Sequence, residues 1–150
     1  MPTINRSALV NHSARAMYEL VNDVASYPEF MQGCYGAEII EQTDQSMMAM
    51  LQLRKAGVQV NLTTSNKLTP YSSIEMYLQD GPFNRLKGVW LFAPLSEDAC
   101  KVSLNLEFEF SSRSLSLAAS GLFSGVASNL VDSLCRRAND VLNGENNGSK

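Results

Sequence analysis

Residues 80–95 read DGPFNRLKGVWLFAPL, a turn signal followed by a strand that is apolar on both faces. Asp80-Gly81-Pro82 supplies the turn, because glycine and proline punctuate a chain and reset its direction. In the strand beyond it, Trp90 and Phe92 fall on one side and Val89 and Leu91 on the other. A sheet with one face on a core and the other in water alternates apolar with polar residues instead. Either all four residues are ordinary core, or the Trp90 and Phe92 side is expected to face an enclosed space. The other is expected to back onto a covering layer, either the short N-terminal helices or a partner.

The surroundings of this strand are strand-like from Cys34 to Phe110. Turn signals at Asp44-Gln45, Ala56-Gly57, Pro70-Tyr71-Ser72, Asp80-Gly81-Pro82 and Ser96-Glu97-Asp98 punctuate that span at hairpin intervals. Lys101–Phe110, KVSLNLEFEF, alternates strictly: Val102, Leu104, Leu106, Phe108 and Phe110 share one face, and Lys101, Ser103, Asn105, Glu107 and Glu109 the other. Val58–Leu62 and Ile74–Leu78 repeat the pattern. Upstream, Thr3–Val10 reads as a short strand, and Ser13 is placed to cap a helix over Ala14–Asn22. Tyr27-Pro28 is expected to halt that helix, since the residue before proline disfavours the α region, leaving a short helix or turn near Ser26–Met31. Downstream, Leu115, Ala119, Leu122, Val126, Leu130, Leu134, Ala138 and Val141 form one apolar stripe, which predicts a long helix over residues 114–142. Asn143-Gly144 offers its stop. Residues 1–142 read as a single domain, and residues 143–150, NGENNGSK, as a disordered tail.

This order specifies an α+β fold: a curved antiparallel sheet of about six to seven strands wrapped around a long C-terminal helix. Seven strands about 4.8 Å apart make a sheet roughly 30 Å wide, whereas one helix is only about 10–12 Å across. A flat sheet would leave most of its apolar face wet. The sheet must curl, and side chains alone need not fill what it encloses. Trp90, Phe92, Leu104 and Phe108 from the sheet, with Leu122, Phe123 and Val126 from the helix, are the candidate lining of a ligand pocket. Small residues along the helix, Ala118, Ala119, Ser120, Gly121, Gly125, Ala127 and Ser128, either permit close approach to the sheet or leave room beside it. Gly121 and Gly125 each cost about 1 kcal/mol relative to alanine in a helix interior, so a packing or spatial reason is expected for them. Ser120, Ser124, Asn66 and Tyr35 are candidates for the few polar groups that orient a ligand in an apolar pocket.

Several function classes are disfavoured by composition. The 150 residues are 45% hydrophobic and 18% charged, an ordinary globular balance. A net charge of −3 gives no global field to draw in nucleic acid, and DNA is not an expected partner. The three cysteines, Cys34, Cys100 and Cys135, are odd in number and widely spaced, and His12 is the only histidine. That pattern suggests neither a disulfide framework nor a metal site, and fits a reduced, cytoplasmic compartment. No cofactor motif is visible. Residues 114–131 carry no charge, but serine, alanine and glycine place them below the hydrophobicity expected of a transmembrane segment. An enzyme such as a cyclase or dehydratase would need a positioned acid or base. His12 sits between the first strand and helix, where a capping or solvated role suits it. Glu107 and Glu109 face away from the apolar side, and Cys34 and Cys100 have no histidine near them in sequence. No catalytic residue is assigned.

The order of elements, together with VNDVASYPEFMQGC (residues 21–34) and DGPFNRLKGVWLFAPL, resembles the START-like, helix-grip superfamily of polyketide cyclases, dehydrases and lipid-transport proteins, over about residues 2–142. Within it the resemblance is to the bacterial branch that holds the coenzyme Q-binding proteins and the ribosome-association toxins. It is carried by Tyr27-Pro28-x-Phe30 and by Asp80-Gly81-Pro82-Phe83 with Leu86, Gly88, Trp90, Phe92 and Pro94. Met31-Gln32 departs from it, standing where many relatives have Leu-Pro. The resemblance implies a deep apolar cavity between helix and sheet that receives a ubiquinone or similar lipid. For the toxin relatives it implies binding to the large ribosomal subunit, which blocks subunit association and translation initiation. A ribosome contact needs a basic or aromatic surface, and Arg54, Lys55, Lys67, Arg85 and Lys87 are the candidates. Arg136 and Arg137 near the end of the long helix complement its dipole. The expectation is a cytoplasmic, cofactor-free, non-enzymatic lipid-binding protein, with ribosome binding as the alternative.

Overall fold

The turn signals cut the middle of the chain into hairpins. In the computed structural model, which describes residues 3–55 and 57–143, the strands are β1 (Thr3–Val10), β2 (Cys34–Gln42), β3 (Ser46–Lys55), β4 (Val58–Thr69), β5 (Ser73–Asp80), β6 (Phe83–Ser96) and β7 (Ala99–Phe110). The helices are α1 (Ala14–Asn22), α2 (Tyr27–Phe30) and α3 (Arg113–Ala138), the last ending in a wider turn over Asn139–Asn143. Strands β2 to β7 each pair antiparallel with the next, and β1 returns to the outer edge of β7, giving the order β1-β7-β6-β5-β4-β3-β2. Gly144 and the rest of the expected tail lie outside the described residues.

Helix α3 touches β1 and β7 on one flank and β4 and β3 on the other. Strands β1 and β3 are five ladder steps apart, about 24 Å along a flat sheet. One helix reaches both only because the sheet curves around it. Ser112 starts the helix by accepting a hydrogen bond from the Leu115 N–H at 3.0 Å. Ala119, Phe123, Ala127, Val131, Leu134 and Ala138 then follow at steps of three or four and are buried, with Leu122 buried beside Phe123. At the wide end of the sheet, Phe108 packs edge-on against Phe123 at 4.7 Å, and Phe83 stacks on Phe110 at the same centroid distance.

Four expectations are corrected. The N-terminal helices do not cover the outer side of β6: Leu91 is 45% exposed, and α1 packs on the opposite, concave face, with Tyr18 edge-on to Phe92 at 5.6 Å. Tyr27 does not halt a helix. It adopts helical angles (φ −53°, ψ −42°), while the chain breaks earlier, at Asp23 (φ −83°, ψ 63°). Proline in a first turn costs no hydrogen bond, and the buried Tyr27 hydroxyl donates to the Val21 carbonyl, which holds the turn in place. Gly121 and Gly125 have no packing reason among the described residues, since an added Cβ would meet nothing within 4 Å at either. Finally, the most apolar 18-residue window of the last helix has a mean hydropathy of 1.3, long and apolar enough by composition to cross a membrane, although it packs here on the sheet.

Candidate ligand cavity

Side chains from β3 to β7 that point to the concave side build the floor of a cavity. Its roof is the inner face of α3, and the segment from Val21 to Met31 closes one side. Trp90 opposes Ile74 across the β5–β6 ladder and Leu104 across the β6–β7 ladder, making a continuous apolar band under the helix. Phe123, Val126, Ala127 and Leu130 descend from α3, while Val24, Tyr27 and Met31 close the side. The cavity has a volume of about 90 Å³, several times the 10–15 Å³ or so that a single water needs.

Of the residues expected to line a pocket, Trp90, Leu104, Phe123 and Val126 stand in the cavity wall. Phe92, Phe108 and Leu122 do not: Phe92 packs against Tyr18 of α1, Phe108 belongs to the aromatic cluster at the wide end, and all three are buried in solid core. Among the polar candidates only Asn66 lines the cavity; Tyr35 lies on the surface with the Arg54 guanidinium 4.5 Å from its ring centre, and Ser120 and Ser124 are elsewhere on α3. Tyr27, Met31, Thr64 and Met76 also line the cavity, none of them among the lining residues expected from sequence. Thr64 has a legible signal, because it continues the inward row of Val60 and Leu62 on β4. Tyr27 and Met31 have none, since they reach the cavity from an irregular segment without periodicity.

Electrostatically the cavity is quiet. No Asp, Glu, Lys, Arg or His is among its lining residues. Burial pushes the Tyr27 phenol well above its ordinary range, with smaller contributions from Cys34 and Asp23. Burial likewise raises the Cys34 thiol. Among the described residues, no three His, Cys, Asp or Glu side chains cluster to hold a metal ion. His12 is buried at the other end of α3, its Nε2 2.9 Å from Asn139 Oδ1.

The cationic candidates lie on the convex face and at the hairpin ends, all exposed. Three of them stand directly across a ladder from a carboxylate: Lys67 from Glu75, Arg85 from Glu109 and Lys87 from Glu107. They form no purely basic patch.

Residues 10–135 match the family described as polyketide cyclase / dehydrase and lipid transport. The chain belongs to that family. The fold described above is shared with a START superfamily protein from Mycobacterium smegmatis, which superposes with a TM-score of 0.77 at 18% identity, covering 93% of this chain and 98% of that one. Among its relatives, the ribosome association toxin RatA of Vibrio cholerae is 52% identical over 141 residues, which covers 94% of this chain and 98% of that protein. The mitochondrial coenzyme Q-binding protein COQ10 homolog B of Xenopus laevis is 27% identical, over 91% of this chain and 58% of that one. Among solved structures, the Zhui aromatase/cyclase of a Streptomyces species superposes with a TM-score of 0.79 at 16% identity, covering 91% of this chain and 93% of that one. That likeness is one of fold.

Proposed function

We propose that this START-like protein binds a hydrophobic small molecule, quinone-like or another isoprenoid lipid, in the cavity beneath α3 and performs no chemistry on it. The observation that carries the reading is the cavity itself, walled mostly by apolar side chains with no Asp, Glu, Lys, Arg or His among them, and with its one phenol, Tyr27, engaged by the Val21 carbonyl. Such a wall offers desolvation to a ligand and no proton to a reaction. The relationship to a coenzyme Q-binding protein supports the ligand class. The test is native mass spectrometry of the protein purified from its own host without detergent, followed by organic extraction. A bound lipid of one defined mass is the expected result; a clean unliganded mass after purification, with no uptake of added ubiquinone, would sink the reading.

A second reading rests on a different observation, the 52% identity to a ribosome association toxin along nearly the whole chain. In that reading the outer surface binds the large ribosomal subunit and hinders subunit association. The two roles use opposite sides of the sheet and are compatible in one molecule. The ribosome reading implies a protein of the bacterial cytoplasm.

A further inference from the structure

One row of side chains crosses the concave floor through successive ladders: Met47, Asn66, Met76, Gly88 and Leu106. Asn66 is the one polar side chain in it. It is 6% exposed and lines the cavity, and its Oδ1 has no hydrogen-bond partner. A buried acceptor left unpaired weakens a fold, and native proteins keep few of them. Neighbouring Thr64 also lines the cavity. Met76, across the ladder from Asn66, leans the other way: its methyl lies 2.5 Å from where a Cβ on Gly88 would stand. The absent side chain at Gly88 gives this flexible residue a resting place away from the amide.

We infer that Asn66 is the specificity-determining residue of the cavity, and that the ligand's buried end carries an O–H or N–H donor for its Oδ1. The inference rests on the hydrophobic-ligand reading and narrows it. A phenol, a hydroquinone or a long-chain alcohol satisfies the orphan oxygen, whereas a hydrocarbon, an ether or an oxidised quinone leaves it unpaired. A hydroquinone carries the O–H donor that its two-electron-oxidised quinone lacks, so an unpaired Asn66 Oδ1 favours the reduced form. The donor would approach from the side that Met76 leaves open.

The test compares para-octylphenol with para-octylanisole by titration calorimetry on the full chain. The two share ring and tail, and only the first has an O–H. Wild type is expected to bind the phenol roughly tenfold more tightly, the value of one well-formed buried hydrogen bond. Asn66→Leu is expected to abolish that difference, and Asn66→Ala serves if the leucine variant does not fold. Equal affinities in wild type, tighter binding of the ether, or a preference that survives both substitutions would each overturn the assignment to Asn66. Binding of neither compound to wild type would instead fell the hydrophobic-ligand reading, and this inference with it.

Discussion

The two faces of the sheet come from the same strands and obey different rules. On the concave side, Trp90, Leu104 and Phe108 are each at most 2% exposed and have α3 over them. On the convex side, the residues between them, Lys87, Leu91, Glu107 and Glu109, stand in water. Inside, shape decides what fits, because burial energy scales with area removed from water and packing is close. Outside, charge decides, and cations there face carboxylates across the ladders. The period of two along each strand lets a lipid site and a macromolecular surface share one set of strands without sharing a residue. Mutations should therefore separate the two proposed roles.

The largest effect belongs to the interior. Phe108→Ala removes a fully buried ring packed against Phe110 and Phe123, and is expected to cost about 3–5 kcal/mol, read as a lower midpoint in urea. A loss below about 1 kcal/mol would mean that this end of the core collapses to fill the gap. Next, Tyr27→Phe leaves the Val21 carbonyl without its buried donor, at about 1–3 kcal/mol. The same residue gives a pH signature. Because burial raises the Tyr27 pKa in the folded state, the fold keeps a proton that the unfolded chain loses near its ordinary value of about 10. Stability is then fully present below about pH 10 and falls as pH rises above it. The slope above pH 10 should be shallower in Tyr27→Phe, and identical slopes would show that other groups dominate.

Gly88→Ala sharpens the comparison because it acts on space more than on stability. The new Cβ displaces the Met76 methyl and presses on Leu106 Cδ1, 3.0 Å away. The expected stability change is about 1 kcal/mol, the low end of overpacking, since a flexible side chain yields. Uptake of a hydrophobic probe should fall by more than that, and Gly88→Ala with Met76→Ala should restore it. The smallest effect on the fold is expected outside. Reversing Arg85 and Lys87 to glutamate places like charges opposite Glu109 and Glu107, for about 0.2–1 kcal/mol per pair. Lipid binding should be unchanged while co-sedimentation with ribosomes drops. Unchanged co-sedimentation would remove this surface from the ribosome reading.

Much of the fold was legible in short patterns. The hairpin turns follow from their glycine, proline and aspartate signals, the inward faces of β4 and β7 from period-two alternation, and α3 from its apolar stripe. What resisted reading depended on curvature and tertiary contact. Leu91 and Trp90 have the same apolar character in sequence; only the side to which the sheet bends puts one in water and the other in the cavity wall. Tyr27 takes helical angles before a proline because a buried hydroxyl anchors it, a long-range cause that local preference does not contain. Phe92 and Trp90 share one strand face, yet α1 fills the space next to Phe92 and leaves that next to Trp90 open. Asn66 could be marked as polar and on the inward row of β4, but its lack of a partner is a property of the assembled floor.

Trp90 is the only tryptophan in the chain, and it stands in the cavity wall, 2% exposed and 6.3 Å from the ring of Phe92. The indole emission of this protein therefore comes from a single buried location. Its colour and intensity are a native optical gauge of what occupies the space beneath α3, readable in an unlabelled sample as a ligand arrives, leaves or changes its oxidation state.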